Sequence, residues 1–244
     1  GYTILADYLG KTQTGGIALI DMGSANSTFA FSSGKGHLLS SIRPDLGLGH
    51  SAPQLLSSVG LDAVREWLPF NISSTELTNY AYNKSLRPMT IPMSLRDLYI
   101  EHAFLRAGIR AMITRANPEW ENSSMTVSRI ILAGAALTKT GHPAYDVLLA
   151  MDTLQPVGIV TLSQDPFALI PAMGAIAPYA PDAVVQLLDE TNLVRLGTVL
   201  IPTGNLRKER TAVDVIIHEN GEKLRYAVDG GHVFVYPIPV GQSV

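Results

Sequence analysis

The chain has 244 residues, 46% of them hydrophobic and 16% charged, which is enough apolar material for a sizeable core and carries no compositional mark of disorder. With 18 Lys and Arg against 21 Asp and Glu, the net charge of −3 gives no general attraction to nucleic acid or to an anionic membrane. The lack of cysteine excludes disulfides, iron–sulfur ligation and a thiol nucleophile, and no run reaches the roughly eighteen apolar residues of a membrane span, so a cytoplasmic protein is expected.

In chain order, residues 2–10 read as a short helix with Tyr2, Leu5, Ala6 and Leu9 on one side. Gly15-Gly16 breaks the chain before an apolar strand, 17–21, whose hairpin partner covers 27–32. The hairpin turns through glycine and small hydroxyl residues. Such a tip lets backbone N–H groups approach a phosphate without Cβ interference, while hydroxyls add donors. On that reading Gly23, Ser24, Ser27 and Thr28 contact phosphate, and Asp21 holds Mg²⁺ through a water. The plainer reading is a hairpin that turns through small residues for its own sake.

A glycine turn follows at Leu46-Gly-Leu-Gly-His50, and Ser51 is placed to cap a helix starting near Pro53. Helices are expected over 61–68 and 74–84, the second capped by Ser73 or Ser74. Prolines keep 87–93 extended. The longest helix spans 94–116 and ends at Asn117-Pro118; its Glu101, Arg106 and Arg110 either face a nucleotide or form a solvated face. Strand 127–133 runs into Gly134-Ala135-Ala136-Leu137, a small-residue turn that suits an adenosine or close strand–helix packing. A helix over 143–151, a strand over 157–162, a helix from Asp165 to about 177 and a last helix over 182–189 complete the body.

From about 197 the texture is β-branched and alternating. The segments 196–202, 212–218, 223–228 and 232–237 read as a small antiparallel module, with Asn220-Gly221 as a hairpin turn and Tyr226, Phe234 and Tyr236 in its core. Two domains are therefore expected, 1–196 and 197–244. The six histidines show no close pairing, which speaks against zinc, and there is no Gly-X-Ser-X-Gly elbow or P-loop.

The succession of hairpin 17–31, Gly47-Leu-Gly-His50, helix 94–116 and Ile130-Ile-Leu-Ala-Gly134 resembles the second half of an actin-like ATPase. More narrowly, Asp165-Pro-Phe-Ala-Leu-Ile-Pro-Ala-Met-Gly-Ala-Ile-Ala177 followed by Pro181-Asp-Ala-Val-Val-Gln-Leu-Leu188 resembles the glutamate mutase L family. Trp67-Leu-Pro69, Asn83-Lys-Ser-Leu-Arg-Pro88 and the β-rich tail are similar to its longer members. The resemblance implies an α/β fold: a ribonuclease H-like lobe with a mixed sheet flanked by helices, plus the small C-terminal antiparallel module. It further implies ATP and Mg²⁺ as cofactors of the full-length parent, and a chaperone or reactivation role toward a cobalamin-dependent mutase as partner.

The chain departs from the actin-like pattern in two places. Those hairpins read Asp-X-Gly-Gly-Gly-Thr-Thr-Asp, whereas here Gly-Ser-Ala-Asn replaces the glycine run and Phe29 stands in place of the second acidic residue. The adenosine turn carries alanines at 135 and 136, and each added Cβ restricts the approach of a ligand. The alternative is thus a non-catalytic interaction module that has lost nucleotide binding. The residues before 17 are too few to supply a first lobe, so the chain is read as a C-terminal half that does not hydrolyse ATP efficiently alone.

Overall fold

The run Gly16–Met22 forms β1, and its near-continuous apolar character follows from burial on both faces. Ala18, Ile20 and Met22 join one hydrophobic cluster, while Ile17 and Leu19 join another on the opposite side of the sheet. β1 pairs antiparallel with β2, Ser27–Ser32, which pairs antiparallel with β3, Leu38–Arg43. On its other side β1 pairs parallel with β4, Val127–Ala133, which pairs parallel with β5, Gly158–Asp165. A last strand, β6, Val194–Ile201, completes the order β3-β2-β1-β4-β5-β6. The computed structural model describes all residues except 13–14, 119–125, 189–191, 205–206, 220 and 239–244. The chain forms two compact units, Gly1–Val199 and Leu200–Val244.

In the first unit, helices cover both faces of the sheet. One layer contains α2 (Ala52–Val59), α3 (Leu61–Arg65), α4 (Ser74–Leu86), α5 (Leu95–Ala116), the single turn α6 (Ala135–Thr138) and α7 (Pro143–Leu154). The other contains α1 (Tyr2–Thr12), α8 (Ile170–Ile176) and α9 (Pro181–Leu187). The fold class is therefore the expected α/β arrangement, a mixed sheet flanked by helices. Ser73 caps α4 by accepting the amide of Glu76 at 3.1 Å, and Ser94 caps α5 through Asp97 in the same way.

Several boundaries differ from the sequence expectation, each for a local reason. Ser51 sits at the N-cap position of α2, but its hydroxyl donates to the carbonyls of Ala25 (2.7 Å) and Pro44 (3.1 Å) instead of capping. Asp165 ends β5 rather than starting a helix. Its two carboxylate oxygens accept the amides of Phe167 (3.2 Å) and Ile170 (2.8 Å), so a turn intervenes before α8. The segment 196–201 belongs to β6 of the large sheet, because Leu196 and Val199 pack on its core.

Glu101, Arg106 and Arg110 of α5 do not form a free solvated face: each is tied to a neighbouring helix, and Arg110 also borders a cavity. Glu101 accepts hydrogen bonds from Lys84 (2.6 Å) and Tyr80 (2.8 Å) of α4. Arg106 reaches Asp152 (2.8 Å) and Arg110 the Thr153 carbonyl (3.1 Å), both on α7. Lys84 also donates to the carbonyl of Thr90 at 2.5 Å, which anchors the connection between α4 and α5 from beneath. Along that connection Met89, Ile91, Met93 and Leu95 are strongly exposed.

In the second unit β7, Thr211–Glu219, and β8, Glu222–Asp229, form an antiparallel pair, the small β module expected of the tail. Asn220, one half of the predicted hairpin turn, lies outside the described residues. Tyr226 of β8 packs against Phe234 and Tyr236, with ring centroids 4.7 and 5.6 Å away. The expected strand over 232–237 does not form, since these residues pair with neither strand, and Phe234 remains half-exposed rather than enclosed in a core.

Candidate functional site

The chain leaves β1 toward β2 and β3 on one side of the sheet and returns as β4 on the other. This reversal makes the carboxyl ends of β1 and β4 a topological switch point, the place where open α/β sheets leave a crevice for ligands. The parallel register sets Asp21 opposite Ala133, and Ala133 opposite Asp165, so three strand ends form one row. The two stretches singled out in the sequence, the 17–31 hairpin and the 134–137 turn, are thereby neighbours.

Gly134 shows how close they come. Its φ of +91° is a conformation that only glycine adopts without strain, and a Cβ there would lie 2.7 Å from the carbonyl carbon of Met22 and 3.0 Å from Asp21 Oδ1. Asp21 Oδ1 therefore faces the Gly134 turn. The other oxygen, Oδ2, accepts the hydroxyl of Tyr2 at 2.5 Å. Burial pushes the Asp21 carboxyl above the usual range; the Tyr2 hydrogen bond pulls it back, and the nearby Asp165 pushes it up again. Burial also pushes the Tyr2 phenol up, reinforced by its hydrogen bond to Asp21.

The hydroxyls of the hairpin have unequal surroundings. Ser27 is fully buried and donates to the carbonyl of Leu46 at 2.6 Å, with Met22 Sδ at 2.8 Å. Thr28, its neighbour along β2, stands opposite Asp21 in the ladder and so shares the other face of the sheet with it. Ser24, at the exposed tip, accepts the His50 amide at 3.2 Å and contacts His50 Nδ1 at 3.1 Å. The Ser24 carbonyl accepts the amides of Gly49 (2.9 Å) and Ser51 (3.3 Å), and that of Gly23 accepts Leu48 (2.9 Å). The loop 46–51 thus lies against the tip, an approach that Gly47 and Gly49 permit because a Cβ at either would strike Ser24 or Ala25.

On the second turn, Ala135 is exposed and Ala136 half-buried, while the Leu137 side chain is fully enclosed in the core. The Leu137 carbonyl accepts Gln164 Nε2 at 2.5 Å, and the same amide reaches Asp146 at 2.6 Å. The Leu137 amide donates to the Gly134 carbonyl at 3.0 Å, so both backbone polar groups of Leu137 are engaged within the protein. Sequence reasoning passed over Tyr2 and Asp165 as site residues. Nothing in the local pattern marks Tyr2, whereas an Asp closing an apolar run before Pro166 is a strand-end signal.

A single carboxylate with one engaged and one open oxygen suits Mg²⁺ held through water, with phosphates supplying direct ligands. Among the described residues no group of three or more His, Cys, Asp or Glu could hold a metal. A separate cavity of about 650 Å³, lined by Arg43, Trp67, Arg110 and Arg115 among others, includes neither the residues of the 17–31 hairpin nor those of the 134–137 turn.

Comparison with known families supplies the remaining evidence. The model of the MutL protein family matches residues 3–192, most of the chain. The chain belongs to this family, the glutamate mutase L family. No curated protein matches it. Among the described residues no helix is long and apolar enough to cross a membrane.

Proposed function

We propose that this member of the glutamate mutase L family carries half of a nucleotide site at the carboxyl ends of β1 and β4. The observation that carries the reading is the parallel register that sets Asp21 beside Gly134 at the switch point of the sheet. Asp21 would hold Mg²⁺ through water, and the ion would neutralise phosphate charge. Gly23, Ser24 and Thr28 would lie along the phosphates, with the backbone of Gly134, Ala135, Ala136 and Leu137 flanking adenosine. Ser27 is less suited to a ligand, since its hydroxyl is committed to Leu46.

In the full-length protein, nucleotide binding would favour one arrangement of lobes over another and so couple to a partner, with a cobalamin-dependent mutase as the candidate. Chaperoning or reactivation of that enzyme is the role this mechanism would serve. The test is calorimetric titration of the full-length protein with ATP and Mg²⁺, beside a Gly23→Val variant. Heat of binding in the wild type that disappears in the variant supports the reading.

A second reading is an interaction module without nucleotide chemistry. Two observations favour it: the buried Ser27 hydroxyl is committed to Leu46 and the exposed Ser24 hydroxyl accepts the His50 amide, and Met89, Ile91, Met93 and Leu95 form an exposed apolar stretch anchored by Lys84. Absence of any nucleotide binding by the full-length protein would leave this reading in place of the first.

A further inference from the structure

We infer that Tyr2 is a positioning residue of the candidate site, holding the Asp21 carboxylate so that its free oxygen faces the Gly134 turn. The inference rests on the nucleotide reading and adds to it a residue from a separate element, the first turn of α1.

The geometry is specific. A carboxylate on a strand end can twist about its last torsion and turn its plane away from the crevice. The Tyr2 hydroxyl, 2.5 Å from Oδ2, removes that freedom and leaves Oδ1 toward Gly134. Among the described residues Tyr2 is the one side chain that donates to Asp21. Its role is also electrostatic. Asp21 and Asp165 stand in one row at the sheet end, and their carboxylates repel. Asp165 has two backbone amides to satisfy it, from Phe167 and Ile170, whereas among the described residues the Asp21 carboxylate has the phenol. A phenol is a suitable donor here, because it offers a proton and adds no charge to compete with Mg²⁺.

Packing keeps Tyr2 in place. It lies in the first turn of α1, whose Leu5, Ala6 and Leu9 are buried against the sheet face that carries Ile17, Leu19 and Ile131. The tyrosine ring packs on the same cluster. The hydroxyl can therefore be removed while the ring is kept.

The experiment is calorimetric titration of the full-length protein with ATP, once with Mg²⁺ and once with EDTA, for the wild type, Tyr2→Phe and Asp21→Asn. Loss of one charge-assisted hydrogen bond should lower Mg²⁺-dependent affinity about tenfold in Tyr2→Phe and leave affinity in EDTA unchanged. Asp21→Asn should remove the Mg²⁺ dependence itself. Thermal melts establish that the variants are folded. If Tyr2→Phe binds as the wild type does, or weakens equally with and without Mg²⁺, Tyr2 only packs α1 and the inference is overturned while the nucleotide reading stands. If the wild type binds under neither condition, both are overturned.

Discussion

The hydroxyl of Ser27 donates to the carbonyl of Leu46 at 2.6 Å, joining β2 to the loop that lies against the hairpin tip. Ser27 is fully buried, so this bond is shielded from water and serves the fold. Ser27→Ala would leave the Leu46 carbonyl without its donor, at a cost of about 1–2 kcal/mol. Ser24→Ala, at the exposed tip, should cost less than about 0.5 kcal/mol. Urea denaturation of the two variants checks the contrast. Equal effects would show that the loop is not held through Ser27.

Lys84 and Glu101 form a buried ion pair at 2.6 Å, with side chains 8% and 13% exposed. Removing one partner strands the other charge, so Lys84→Met should destabilise the protein by about 3–5 kcal/mol. Lys84→Met combined with Glu101→Leu should recover most of that loss, because two desolvated charges are removed together. A double-mutant cycle in chemical denaturation measures this. The single variant should also release the Thr90 carbonyl and increase protease cleavage within 87–93.

His102 is buried, and its imidazole lies 3.0 Å from the Tyr145 hydroxyl. Burial, aided by the Arg106 charge, pushes it down to about 4. The unfolded chain takes up a proton near pH 6.5 while the folded one stays neutral to about pH 4, so the unfolded state binds more protons in that window. Stability is therefore full above about pH 6.5 and falls as pH drops toward 4, by about 2–3 kcal/mol from this residue. Denaturation midpoints at pH 7 and 4.5 should show a smaller acid loss in His102→Gln than in the wild type.

Gly134→Ala places a Cβ against the Met22 carbonyl in a positive-φ conformation, combining strain with a clash that backbone movement alone relieves. A loss of about 3 kcal/mol or more is expected. Gly36→Ala is the control: its φ is also positive, at +86°, but nothing lies within 4 Å of the added atom. That variant should cost about 1 kcal/mol, the conformational penalty alone. If the two are equal, the contact between the strand ends is looser than 2.7 Å implies.

Much of the architecture was legible in the sequence because it rests on local pattern. The apolar run 16–22 and the periodic stretch of α5 report their own burial, whereas 87–93, expected to be extended, opens with a turn in which the Thr90 amide donates to the Arg87 carbonyl at 3.0 Å. What escaped depends on partners distant in sequence. The segment 194–201 reads as β-branched wherever its partner lies, and its place at the edge of the large sheet is a tertiary fact. The Tyr2–Asp21 contact pairs a helix with a strand end and leaves no periodic trace. Ser27 and Thr28 are a different case. The two-residue period of a strand requires adjacent side chains to face opposite ways, so a shared phosphate grip was already improbable from their positions.

The pairing of β1 with β4 joins residues 16–21 to 127–133, so the crevice has no precursor in any local segment of the chain. On the ribosome, β1, β2 and β3 emerge as a meander that must wait for α5 and β4 before the Gly134 turn exists. Contacts of such high sequence separation form slowly, since loop closure is costly before they repay it. Destabilising changes that act through the β1–β4 seam should therefore slow refolding more than equal changes within the meander.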